Sequence, residues 1–337
     1  MKDILNERYK IKVDRFIKAF GYDAIIYRNI IYCIVPIPYV EQEELYEIKH
    51  LSDYMIQKGD IRVGSILPTT DGNLSTTIHD EEVVLIRIPV YSHRNTNTVG
   101  YELARFHKRG RSFPYRVNKV NRIGQWKFLW ERRLDQMELF WKEKVKQHPQ
   151  NRFESLFVEA FPYYIGLTEN AIQYLVDTEM DETPSAIDSA TICHHRFSEM
   201  SWDKESFTKL PTDWVFDHCT RDLAEFIRDQ YASGETRQNG QILHFMKEYE
   251  RVSPLSPFSW RLLYARLLFP LHFFECIEGY YMTESENKKE IQLQRLDSML
   301  KHSSDHERFL ATFLSSVGAE RKRLTIPNIS WLQNKNI

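Results

Sequence analysis

The spacing of apolar residues changes period once along this 337-residue chain, and that change limits the folds open to it. In the first part the apolar positions fall in short runs. Ala24–Tyr27 and Ile30–Val35 are β-branched and aromatic, split by Arg28-Asn29, the pattern of paired strands. A helix is predicted next, because Leu45, Ile48, Leu51, Met55 and Ile56 recur at helical spacing. Acids from Glu41 to Glu44 fill its first turn, and Gly59 stands where a C-terminal cap belongs. Short strands follow at Ser65–Leu67, Leu74–Ile78 and Val83–Val90, set off by turns at Asp71-Gly72 and His79–Glu81.

Past the polar segment Tyr91–Thr98 the period is helical. Thr98 is the expected N-cap of a helix whose Val99, Leu103 and Phe106 share a face. A long stripe of Trp126, Leu129, Trp130, Leu134, Met137, Trp141 and Val145 ends before His148-Pro149. Further helices are expected over 162–176, 221–232, 258–281 and 304–318. The sequence therefore predicts an α+β chain with a β-rich lobe over residues 1–90 and a helical lobe over 91–337.

Composition excludes several classes. A formal net charge of -2 gives no bulk attraction to nucleic acid or to an anionic membrane. The apolar stretches at 23–40 and 260–277 are broken by arginine and proline, short of the roughly 20 apolar residues a bilayer span requires. The N-terminal MKDILNERYKIKV lacks the apolar core of a signal peptide, so no secretion is expected. Cys33, Cys193, Cys219 and Cys276 are scattered without paired spacing and are expected as reduced thiols. Basic residues crowd 105–133, with Phe113, Tyr115, Trp126 and Trp130 between them. Such a stretch suits an acidic or phosphate-rich partner, but the aromatics fit the helical core and the bases its solvated face, so nucleic-acid binding is not expected.

Two loops carry the chemistry. Thr191–Trp202, TICHHRFSEMSW, gathers a cysteine, two histidines and an arginine; Thr212–Arg228 holds a short apolar strand that delivers Asp217 at its end. A zinc site drawn from Cys193, His194, His195, His218 and Cys219 has suitable residue types, but adjacent ligands diverge, and zinc sites favour spaced pairs. A catalytic Cys–His pair is weaker still, since apolar surroundings keep a thiol protonated.

The order of these features resembles the aminoglycoside phosphotransferase and choline kinase family: a β-rich lobe with one helix, then Gly100-x-Glu102-Leu103-Ala104-Arg105-Phe106-His107, a His-containing loop, and a strand ending in Asp217 near Asp222-Leu223-Ala224. Arg266–Tyr281 and Ile326–Leu332 resemble its spore-coat branch. The resemblance implies a protein-kinase-like two-lobe fold. In that family the catalytic loop reads roughly His-Gly-Asp-Leu-His-x-x-Asn. Set on His194, its aspartate position falls on Arg196 and its asparagine on Ser201; started at His195, the aspartate position is Phe197. The family's strand lysine has no counterpart in Ile30–Ile37, although Glu43, Glu44 or Glu47 could supply its helix glutamate, and no glycine-rich phosphate loop is present.

Phosphoryl transfer depends on positioning and electrostatics, and a guanidinium at Arg196 accepts no proton and repels magnesium. The expectation is thus a degenerate kinase with no catalytic residues and no cofactor, His194, Arg196 and Ser201 marking the worn positions. Asp217 is the surviving metal-type residue, with pairing to Arg196 or Arg221 as its other reading. The resemblance implies a structural component of the bacterial endospore coat, made in the mother-cell cytoplasm, with other coat proteins as partners through 105–133 or the acidic loop 177–188. The alternative is an active nucleotide-dependent transferase using Mg-ATP, with Asp217 on magnesium and Arg196 on phosphate. A domain binding a small metabolite in the former cleft is a third.

Overall fold

The computed structural model describes residues 1–88, 96–203, 205–232, 238–319 and 332. In chain order the first elements are α1 (Lys2–Tyr9), β1 (Arg15–Ala19), β2 (Tyr22–Tyr27), β3 (Ile30–Pro36), α2 (Gln42–Gln57), β4 (Ser65–Leu67), β5 (Ser75–Ile78) and β6 (Glu81–Ile88). There follow α3 (Val99–Gly110), α4 (Trp126–Gln147), α5 (Arg152–Asp181), β7 (Thr191–His194) and β8 (Trp214–Asp217). The remainder is helical: α6 (Thr220–Ala232), α7 (Gln238–Glu250), α8 (Pro257–Leu268), α9 (Leu271–Tyr281), α10 (Glu286–Lys301) and α11 (Ser303–Ser316).

Two compact units share the chain: Met1–Ile123 with Ser189–Pro254, and Gly124–Asp188 with Leu255–Ile337. Most of the expected lobe boundary, residues 91–95, lies outside the described residues, as do 89–90 of the expected last strand and 326–331 of the C-terminal motif.

In the first unit an antiparallel sheet runs in the order β1-β2-β3-β6-β4, with β5 also on β6. Tight turns make its hairpins. Arg28 and Asn29 take φ of 50° and 60°, and His79 and Asp80 take 52° and 63°. Left-handed φ at both central residues matches the twist of the flanking strands, so these positions carry the geometry that glycine usually supplies. Ile25, Tyr32, Ile34, Ile78, Val83 and Leu85 form a core on one face, which Leu5 of α1 joins. The α2 register is as expected, with Leu45, Ile48, Leu51 and Met55 buried, while Ile56 faces solvent and Gly59 follows at φ 83°.

The second unit is built on an aromatic core. Tyr164 stacks on Phe273 at 3.7 Å and Phe153 on Tyr280 at 3.7 Å, joining α5 to α9. Trp126, Trp130, Leu134 and Met137 of the α4 stripe are buried, whereas Leu129 and Val145 are exposed. Two expectations need correction here. The helix expected over 162–176 runs from Arg152, where the Asn151 side chain accepts from the Glu154 N–H, and carries Pro162 inside it. Proline removes the N–H that would reach the Val158 carbonyl; the Trp141 indole N–H donates to that oxygen instead, at 3.0 Å. The single helix expected over 258–281 is two, α8 and α9, because Pro270 forces Phe269 to an extended ψ of 120°.

Candidate functional site

The site is built within the first unit, where the two loops singled out in the sequence come together. β7 pairs antiparallel with β8, setting Thr191 opposite Asp217 and His194 opposite Trp214. All four residues of β7 are buried. Its approach to α3 depends on Gly110, where a Cβ would lie 2.5 Å from Thr191 Oγ1 and 2.7 Å from the Ile192 nitrogen. The Thr98 cap starts that helix, its hydroxyl accepting from the Tyr101 N–H.

Asp222, in the first turn of α6, holds the loop. Its Oδ1 accepts from the His194 backbone N–H at 2.9 Å, and its Oδ2 lies 2.7 Å from His194 Nδ1 and 3.1 Å from His107 Nε2. Burial would raise this carboxyl; His194 and then His107 outweigh it and hold it well below the usual carboxylate range. Burial lowers His107 to about 4, so its ring is neutral, with Nδ1 positioned to accept from the Tyr249 hydroxyl at 2.8 Å. For His194, burial opposes a charge while the Asp222 and Asp213 carboxylates favour one and raise its pKa. The Trp202 indole decides the state. Its N–H can only donate, and it points at His194 Nε2 from 3.1 Å, so the observed geometry is that of a neutral ring with its proton on Nδ1.

The positions that the resemblance marks in the catalytic loop follow directly. Arg196 is half-exposed, with its guanidinium 3.5 Å from Glu225, which also pairs with Arg228 at 2.8 Å. Ser201 closes a turn, its hydroxyl accepting from the Ser198 N–H at 2.8 Å and reaching the Arg196 carbonyl at 3.2 Å. Phe197 is buried against His194 and Trp202. Asp217 is fully buried: Oδ2 meets the Arg221 guanidinium at 2.8 Å, and Oδ1 accepts from the His218 N–H at 2.7 Å. Arg221 Nε also donates to the His194 carbonyl, so one guanidinium ties the ends of both loops.

The five residues of the zinc alternative do not converge. His195 is exposed, and His218 bonds the Thr220 hydroxyl. Among the described residues the group that does gather, within 4.8 Å, is His107, Cys193 and Asp222, where Asp222 already accepts from two rings and burial pushes the Cys193 thiol well up. At Cys219 burial raises the thiol's pKa, but His218, then Arg111 and Tyr249, bring it down to about 7.

On the sheet side, Glu47 takes a partner other than lysine. Its carboxylate accepts from the backbone N–H groups of Asn118, Lys119 and Val120 at 2.8–3.0 Å. A buried lysine does exist at Lys209, 3.4 Å from Asp60 and 4.7 Å above the Trp202 ring, and burial lowers its pKa. Its backbone is fastened to Arg62 and Gly64, which joins the end of the loop to the sheet. Sequence reading missed Lys209 and the anchoring role of His107; each finds its partner across more than a hundred residues, beyond any local spacing.

This arrangement of a sheet with one long helix, followed by helices and a short two-stranded loop pair, is the aminoglycoside-phosphotransferase-like kinase fold. It superimposes on an aminoglycoside phosphotransferase from Alicyclobacillus acidocaldarius with a TM-score of 0.66, covering 91% of this chain and 93% of that one at 12% identity. A microcompartment-associated aminopropanol kinase gives 0.59, over 94% and 97% of the two chains, also at 12% identity. Residues 2–313 match the family described as "Spore coat putative kinase YutH", and the chain belongs to that family. It is 42% identical over 334 residues to the endospore coat-associated protein YutH of Bacillus subtilis strain 168, covering 98% of each.

Proposed function

We propose that this chain is a kinase-fold protein without phosphotransferase activity that serves as a structural or assembly component of the bacterial spore coat. The coat role is supported by its relative in Bacillus subtilis, named as endospore coat-associated. On this reading it is made in the mother cell and works by docking other coat proteins.

Catalytic silence is carried by one observation: a guanidinium, Arg196, two residues after the anchored His194, stands where the resemblance places the catalytic acid. A positive group there repels a metal ion and cannot take the acceptor's proton. The residues do not fit magnesium-ATP in other respects. Both Asp217 oxygens are engaged, by Arg221 and by the His218 N–H, in a fully buried position, whereas magnesium keeps several waters. The β3 strand has no lysine, and Glu47 is spent on backbone amides.

The test is the melting temperature with and without saturating magnesium-ATP, with Asp217→Asn alongside and transfer of labelled phosphate as the second readout. No transfer and no Asp217-dependent shift are expected. A shift that Asp217→Asn removes, or any labelled product, overturns the reading in favour of an active transferase.

A further inference from the structure

The basic side chains Arg105, Lys108 and Arg109, which open the basic stretch, are not used by the site above. In the structure they help to line a cavity of about 470 Å³ in the same unit. Tyr101, Arg105 and Lys108 lie at i, i+4 and i+7 on one face of α3, Arg109 stands beside them, and α2 contributes Tyr54 and, just past its end, Lys58. The lining has four cationic side chains and no carboxylate. The volume falls in the range of small-molecule pockets, roughly 300–1,000 Å³.

How the charges are held matters more than their number. Arg109 is braced by Asp60 at 3.2 Å, and Arg105 by Glu102 at 3.4 Å, and neither carboxylate lines the cavity. Lys58 and Lys108 have no carboxylate within ion-pair distance among the described residues. Lys58 rests over the Tyr54 ring at 5.5 Å, and the Arg105 and Arg251 guanidiniums lie 5.8 and 5.9 Å from the Tyr101 ring. Like charges gathered around a concave wall repel one another and focus a positive field into the cavity, in a chain whose net charge is -2. An anion there removes that repulsion.

We propose that this pocket is a binding site for a small phosphate-bearing molecule, with Lys58 and Lys108 as its free cations and Arg105 and Arg109 as its pre-positioned ones. Guanidinium matches phosphate geometry through paired N–H donors, and a diphosphate supplies enough negative charge to meet several cations at once. Cations gathered in one open cleft favour a small ligand over a nucleic acid, which needs cations spread along an extended track. None of the lining residues belongs to the β7–β8 loops, so the inference is independent of the catalytic reading.

The full chain is titrated calorimetrically with inorganic pyrophosphate in the absence of divalent cations, with citrate as a polycarboxylate of comparable charge. One-site binding that weakens with salt is expected, with citrate at least about tenfold weaker. Lys58→Ala and Lys108→Ala should each weaken pyrophosphate about tenfold, and the double Lys58→Glu, Lys108→Glu should abolish it. Both lysines are exposed, so folding is retained, and an unchanged melting temperature checks this. Lys146→Ala, an exposed lysine on α4, should leave binding unaltered. Absence of binding, binding that survives the double charge reversal, or citrate binding as tightly as pyrophosphate would overturn the proposal.

Discussion

Arg221 and Asp217 form an ion pair of 2.8 Å, the carboxylate fully buried and the guanidinium nearly so, at the end of β8. Burial opposes the charge on Arg221, and the Asp217 carboxylate more than restores it. The pair ties the end of β8 to the first turn of α6.

A buried charge deprived of its partner is costly, by about 3–5 kcal/mol. Arg221→Met should therefore destabilise the protein by an amount of that order in urea unfolding. Adding Asp217→Asn should recover a large part, because the amide no longer carries a charge. A coupling energy near zero in the double-mutant cycle would mean the two side chains do not support each other.

His107 links stability to pH. Its pKa falls from 6.5 to about 4 on folding, because burial penalises the imidazolium. Between those values the unfolded chain binds more protons, so stability falls as pH drops from 6.5 toward 4, by about 3 kcal/mol from this group. His194 also contacts Asp222, so the contribution of His107 has to be separated by substitution. Comparing wild type with His107→Gln isolates it: the variant should be less stable at pH 7 but show a flatter decline toward pH 4. Parallel curves would show that His107 does not titrate as a buried neutral ring.

On the proposed reading, an acid placed at position 196 should not produce catalysis. Arg196→Asp places a carboxylate near Glu225, where Arg196 had been its partner, and leaves Asp217 tied to Arg221 and β3 without a lysine. No phosphate should pass from labelled ATP to water, to the protein itself or to a small-molecule acceptor. Stability should change by less than about 1 kcal/mol, since the Arg196 side chain is half-exposed. Detectable turnover in this variant would mean that the remaining cleft is competent.

The sequence made some features legible because the physics that sets them is local. Thr98 caps α3 through its own hydroxyl, Arg28-Asn29 turns a hairpin, and the α2 stripe faces inward at the expected spacing. The loop chemistry was legible as a set of residue types, since TICHHRFSEMSW and Thr212–Arg228 form the adjoining strands and turns of one site. What holds the site was not legible. Asp222 reaches His107 across 115 residues and Lys209 reaches Asp60 across 149, distances over which only the tertiary fold decides contact. Weakly patterned elements were also missed: β1 has no fully buried position, α10 buries Leu296 alone, and α1 buries Leu5 alone.

Pro162 misled for a physical reason that can be tested. As a residue without an N–H it reads as the start of a helix, yet α5 passes through it because the Trp141 indole satisfies the Val158 carbonyl that proline leaves free. Trp141→Phe keeps most of the ring's packing and removes the donor, and should cost about 1–2 kcal/mol. In a Pro162→Ala background the backbone N–H returns to that carbonyl, so the same Trp141→Phe change should cost clearly less. Urea denaturation of the four proteins gives the comparison, and an equal cost in both backgrounds would assign the effect to packing rather than to the carbonyl.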